Sequence, residues 1–328
     1  MTTQQSENNR TEKETEIKLP YRLVPFMKYR KIAFLFSILL TLFCLFTIST
    51  KGFNWGLDFT GGTVIETNFS QPADLNKVRA VLDEHGYHSA LVQTFGGQKD
   101  VMIRLPASAG DTTLGNKVMD LIHQKLDAKA TIQSIEFVGP NVGEELTQGA
   151  IYATLATLVM LLLYVGFRFE WRLGVGGILA LFHDVIVTIG VFSLLQIEID
   201  LTFVAAILSV VGYSLNDSIV VFDRVRENFP KIRRRESFEV IDISLSQTLS
   251  RTLMTSITTL FVVLALYLLG GPTLHSFSLA LLIGIGFGTY SSIYIAIGVA
   301  LQLGLKREHM LQPVAEKEGA DQQSLIDY

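Results

Sequence analysis

Apolar residues along this chain gather into six long runs, near residues 32–50, 148–167, 173–195, 199–222, 250–270 and 276–304. Each is close to or above the roughly 20 residues that a helix needs to cross a hydrocarbon core about 30 Å thick. Backbone N–H and C=O groups find no partners in hydrocarbon, so helices are the expected form of all six. Between the first two runs the period changes. "TVIETNF", "ALVQTF", "DVMIRL" and "TIQSIEFVG" read as strands, the middle two joined by a Gly-Gly turn. "PADLNKVRAVLDEHG" reads as an amphipathic helix opened by Pro72 and Asp74 and closed by Gly86. "TLGNKVMDLIHQKLD" reads as a second, with Leu114, Val118, Leu121, Ile122 and Leu126 along one face. The order β-α-β-β-α-β is the ferredoxin-like split pattern, a fold that hosts many functions and assigns none. The expected architecture is an α-helical membrane protein of six transmembrane helices, with a ferredoxin-like α+β extracytoplasmic domain between helices one and two.

Charge supplies the sidedness. Lys18, Arg22, Lys28, Arg30 and Lys31 precede the first run, and Arg168 and Arg172 separate the second from the third. Arg224, Arg226, Lys231, Arg233, Arg234 and Arg235 separate the fourth from the fifth, and Lys306 and Arg307 follow the sixth. The alternate short loops, 196–200 and 270–275, hold no lysine or arginine. Basic loops stay on the cytoplasmic side of an inner membrane, so both termini are expected inside and residues 51–146 outside. The chain divides accordingly into a cytoplasmic segment 1–31, a first helix 32–50, the outer domain 51–146, helices two to six over 147–307, and a disordered cytoplasmic tail 308–328. Residues 1–20 are polar and charged, unlike a cleavable signal, so the first run reads as a permanent anchor.

Composition narrows the function classes. Of 328 residues, 49% are hydrophobic and only 18% charged, and the net charge of −4 argues against a nucleic-acid partner. Membrane lipid is the expected surrounding. The single cysteine, Cys44, lies inside an apolar run, so no internal disulfide forms and the outer domain must hold together by packing. No G-x-x-x-x-G-K-[ST] run is present, so energy must come from an ion gradient or from a partner. No catalytic residue, metal ligand or cofactor is assigned.

Ionisable groups inside membrane helices are costly and mark function by default. The fourth run carries Asp217, with Ser209, Tyr213 and Asn216 spaced on its side of the helix. The fifth helix carries Ser244, Thr248, Arg251, Thr255 and Thr258 at intervals of three or four, the first two just before its apolar run. A carboxylate and a guanidinium that approach and separate would release and bind a proton, so Asp217 and Arg251 form a candidate proton relay. His183 and Asp184 in the third run extend it or make an interhelical hydrogen bond. Asp200 reads as an N-cap of the fourth helix. Small residues recur at every fourth position of the sixth run, at Ala280, Gly284, Gly288, Ser292, Ala296 and Ala300, a face for close helix packing whose partner helix is not specified.

Five motifs carry a resemblance. "GLDFTGGT" at 56–63, "VGPNVGEEL" at 138–146, "HDV" at 183–185, "YSLNDSIVVFDRVREN" at 213–228 and "TLSRTLMTSITT" at 248–259 closely resemble the SecF family, in order, over about residues 20–307. The resemblance implies an RND-superfamily subunit, half of an RND-type bundle, that works with SecD, the SecYEG channel and the SecA ATPase on a translocating preprotein. It implies that Asp217 and Arg251 lie on a proton pathway, with H⁺ as coupling ion and Na⁺ as the alternative. It places Asp58, with the turn-forming Gly61 and Gly62, at the base of the outer domain. The competing readings are a structural subunit that carries no ions and half of another RND-type exporter. An intramembrane aspartyl protease needs two carboxylates in one site, and the residues before Asp217 are not of that kind.

Overall fold

The computed structural model describes residues 23–94, 97–106, 113–232 and 235–310; the remainder of the terminal segments and Gly96 of the Gly-Gly turn lie outside the described residues. Six helices are long and apolar enough to cross a membrane. They are α1 (Arg30–Lys51), α5 (Pro140–Arg168), α6 (Trp171–Leu195), α7 (Leu201–Lys231), α8 (Ser237–Leu269) and a sixth made of α9 (Pro272–Ser291), one π-helical turn (Ser292–Ala296) and α10 (Ile297–Gln302). Several exceed their apolar runs. α5 begins at Pro140, inside the stretch assigned above to the outer domain, because a proline suits the first helical position and "NVGEEL" continues the helix in polar residues. α7 runs on to Lys231, and α8 starts thirteen residues before its apolar run.

The bundle has an inner and an outer set. α6, α7 and the sixth helix bury half or more of their apolar windows, whereas α5 and α8 bury little. Small residues let the inner helices approach. Gly284 lies against Val210 and Gly288 against Ser214 of α7, and Gly176 of α6 abuts the backbone carbonyl of Ala296 in the π turn. The small-residue seam of the sixth helix therefore finds its partners within this chain. α1 packs on α6 where Cys44, buried, meets Gly190.

The outer domain comprises β2 (Gly62–Asn68), α3 (Leu75–Glu84), β3 (Leu91–Thr94), β4 (Asp100–Leu105), α4 (Leu114–Lys125) and β5 (Thr131–Val138). The strands lie in the order β3-β4-β2-β5, every pair antiparallel, which is the ferredoxin-like order. Asp74 caps α3 by accepting from the N–H groups of Asn76 and Lys77, and Gly86 ends it at φ +91°. Ile65, Leu82, Ile103, Val118 and Ile122 are fully buried beneath the two helices. Burying such side chains contributes about 1.5–3 kcal/mol each, enough to hold the domain without disulfides.

Candidate functional site

Three carboxylates are buried in the bundle among the described residues, Asp184, Asp217 and Asp242. Asp242 of α8 accepts from the Met27 N–H at 2.8 Å, and the surroundings of the other two differ. Asp184 of α6 is 0% exposed. Its Oδ2 accepts from Ser214 Oγ of α7 and from Ser291 Oγ of α9, both at 2.6 Å, and its Oδ1 lies 3.0 Å from His183 Nδ1. Gly288 makes room for this cluster, since a Cβ there would stand 3.5 Å from Asp184 Oδ2 and 3.3 Å from Ser214 Cβ. His183 is 6% exposed, packs its ring against Phe287 and Tyr290, and leaves Nε2 buried without a partner.

Asp217 of α7 is 2% exposed, and its Oδ2 has no hydrogen-bond partner. Ser218 Oγ beside it and Thr252 Oγ1 of α8 are likewise buried and unpartnered. Ser256 of α8 is buried on the same face of that helix as Thr252. Ser256 also lies 2.7 Å from Thr289 Oγ1, while Thr289 donates to the carbonyl of Ile285 at 2.9 Å. With the Thr289 proton on Ile285, the Ser256 proton goes to Thr289. Tyr213, half-buried, reaches the same serine at 3.4 Å.

The structure does not bring Arg251 to Asp217. Arg251, Thr255 and Thr258 lie on the exposed face of α8, as do Ser209 and Asn216 on α7. The face of α8 turned inward is Thr248, Thr252 and Ser256, one position along from Arg251 and Thr255. Two interleaved polar rows exist on that helix, and spacing alone does not say which one faces in.

The N-terminal end of α7 is tied to the base of the α+β domain. Asp58, in the short helix α2 (Leu57–Thr60), accepts from the Leu201 N–H at 2.8 Å. Asp200 accepts from the Phe203 N–H at 2.7 Å, so the first turn of α7 has two caps. A parallel ladder joins β1 (Asn54–Trp55) to β6 (Glu198–Ile199) in the α6–α7 loop. Arg104 of β4 reaches across to Glu198 at 2.6 Å and donates to the Trp55 carbonyl at 2.6 Å. Burial pushes the Glu198 and Asp200 carboxyls above their ordinary values, although Arg104 pulls Glu198 back and the cap bonds do the same for Asp200. Gly61 at φ +63° and Gly62 at φ +125° turn the chain here, where a Cβ on Gly143 of α5 would stand 3.3 Å from Gly61 N. Two separate motifs of the sequence meet at that contact. Arg104 and Glu198 were not legible as a pair: a lone arginine in an alternating strand gives no sign of its partner.

Comparisons with known proteins agree with one another. The C-terminal family of the protein export membrane proteins SecD and SecF matches residues 118–306, and the SecD/SecF GG motif matches residues 46–73. A protein translocase subunit SecF from Haemophilus influenzae is 66% identical over 302 residues, 92% of this chain and 93% of that relative. The SecF subunit from Vibrio alginolyticus is 54% identical over 92% of this chain and 96% of that relative. The crystal structure of SecDF, a translocon-associated membrane protein from Thermus thermophilus, superposes with a TM-score of 0.78 at 38% identity over 90% of this chain. The chain spans only 41% of the length of that SecDF protein.

Proposed function

The chain belongs to the SecF family, subunits of the Sec protein-export machinery, and from that premise we propose that it converts the proton-motive force into movement of its outer domain. The observation that carries this reading is Asp217, a buried carboxylate with an unpartnered oxygen on the helix whose outer end is capped from the domain base. A proton arriving at Asp217 changes which donors the carboxyl needs and so changes how α7 sits against α8. Asp58 and the Arg104–Glu198 pair pass a displacement of α7 to the sheet. One charge crossing 100 mV supplies about 2.3 kcal/mol, so a few protons cover a domain movement of modest cost.

SecD is the partner half of this machinery. Polar side chains facing hydrocarbon are costly, so the exposed row of Asn216, Arg251, Thr255 and Thr258 is the face that the partner covers, and Arg251 enters the proton path from there. In this reading the SecYEG channel, SecA and the emerging preprotein are the wider assembly, in a bacterial inner membrane with both termini cytoplasmic. H⁺ is the coupling ion, with Na⁺ as the alternative that a sodium-substituted experiment separates. The chain acts as a transport component and not as an enzyme, as the naming of its relatives as translocase subunits supports.

Preprotein export into vesicles, measured with and without an imposed proton gradient, tests the reading. Asp217→Asn is expected to abolish the gradient-dependent part and leave the ATP-dependent part. Undiminished gradient-dependent export by that variant would sink it.

A further inference from the structure

At the end of the bundle away from the β-domain, a cavity of about 520 Å³ opens between the start of α1, the start of α8 and the end of α10. Arg30, Arg235, Lys306 and Arg307 line it, against only two carboxylates, Glu236 and Glu308. Among the described residues no ion pair joins any of these six. Four cations outnumber the two carboxylates and repel one another, and the chain gathers them from three distant segments.

Two further features point the same way. The first turn of α8 supplies part of the wall, and its N-cap residue, Glu236, makes no side-chain cap bond. The N–H groups of Glu239 and Val240 turn back to the Glu236 carbonyl, which leaves those of Ser237 and Phe238 without an acceptor among the described residues. Unsatisfied N–H groups at the positive end of a 33-residue helix form an anion seat. Arg307 Nε is buried with no partner, and its Nη2 reaches only the Pro230 carbonyl at 3.5 Å.

Position selects the anion. Arg30 is the first residue of α1 and Leu301 lies in the last turn of α10, so the cavity sits where the apolar spans end. Phe238, 40% exposed, and Leu301 add an apolar wall to it. A soluble phosphate has no use for that wall, whereas acyl chains do. We propose that the cavity is a binding site for the phosphate headgroup of an anionic glycerophospholipid, seated on Arg235, Arg307 and the α8 N-terminus with its chains along Phe238 and Leu301. None of these residues belongs to the Asp217 site, so lipid binding and proton coupling fail separately.

Native mass spectrometry of the full-length chain in complex with SecD, titrated with phosphatidylglycerol or phosphatidylcholine, tests the proposal. Phosphatidylglycerol retention is expected to exceed that of phosphatidylcholine and to fall roughly thirtyfold in the Arg235→Gln, Arg307→Gln double variant, the effect of two lost cations near a membrane surface. The corresponding pair of lysine substitutions is expected to keep most of it, because the charge remains. Equal retention of the two lipids, or retention unchanged in the glutamine pair, overturns the proposal. So does displacement of the lipid by inorganic phosphate at equal concentration, which would make the site one for a soluble anion. If the glutamine pair does not fold, phosphatidylglycerol with a photoreactive acyl chain decides on the unaltered protein. Crosslinks at Phe238 or Leu301 support the site, and crosslinks only elsewhere overturn it.

Discussion

Asp184 and Asp217 are two buried carboxylates on neighbouring helices of one bundle, and only one of them is finished. Asp184 accepts from two serines on two other helices and lies against its own histidine. Asp217 keeps an unpartnered oxygen among two further unpartnered hydroxyls. A saturated carboxylate locks the helices that bond to it. An unsaturated one has different best arrangements with and without a proton, so its helix has a reason to move. Under the proposed function that difference puts structure at the first and coupling at the second, whereas the sequence left Asp184 open between the relay and an interhelical hydrogen bond.

Breaking the saturated side gives the largest effect on stability. Asp184→Ala leaves Ser214 and His183 without this acceptor and Ser291 with only the Gly288 carbonyl, and is expected to cost about 2–4 kcal/mol, read as a lower melting temperature and folded yield. Asp217→Asn should change the melting transition by less than about 1 kcal/mol, because no formed bond at Oδ2 is lost. Equal destabilisation by the two would erase the comparison. Gly288→Ala sharpens it from the packing side. Its new methyl at 3.3 Å from Ser214 Cβ should cost about 1–2 kcal/mol and be felt at Asp184 first, seen as a changed histidine resonance of His183.

The link to the domain yields a smaller effect. Asp58→Ala removes one of the two caps of α7, at about 1 kcal/mol, and should speed hydrogen exchange at Leu201 more than at Phe203, which Asp200 still caps. The smallest effect is one of pH. Burial raises the Glu198 carboxyl above 4.5, so the folded chain holds a proton that the unfolded chain has released. Stability therefore falls as pH rises from 4.5 through the raised value and is regained on acidification. Glu198→Gln should flatten that slope by well under about 1 kcal/mol in pH-dependent melting.

Much of this was legible in the sequence for physical reasons. Run length alone identifies six spans, and the alternation around "DVMIRL" with the amphipathic 114–126 gives the sheet and its covering helices. Helix ends were less legible, because hydropathy marks the part of a helix inside hydrocarbon and not the polar turns beyond it, as with Pro140 and Ser237. At the site, Asp217 and Asp184 stand out because charge in a span is costly. Ser214, Ser291 and Ser256 do not, since a serine in such a helix is ordinary until its partner on another helix is known. Arg251 attracts attention by its charge, and the fold turns Thr252 inward instead.

The central claim is that the moving proton sits on Asp217 and not on Asp184. Infrared difference spectroscopy of the purified SecD-bound chain, recorded between low and high pH in membranes, reads it most directly through the carbonyl band of a protonated carboxylic acid. The account predicts a band that vanishes in Asp217→Asn and persists in Asp184→Asn; a band that survives the first substitution, or is lost in the second, would contradict it.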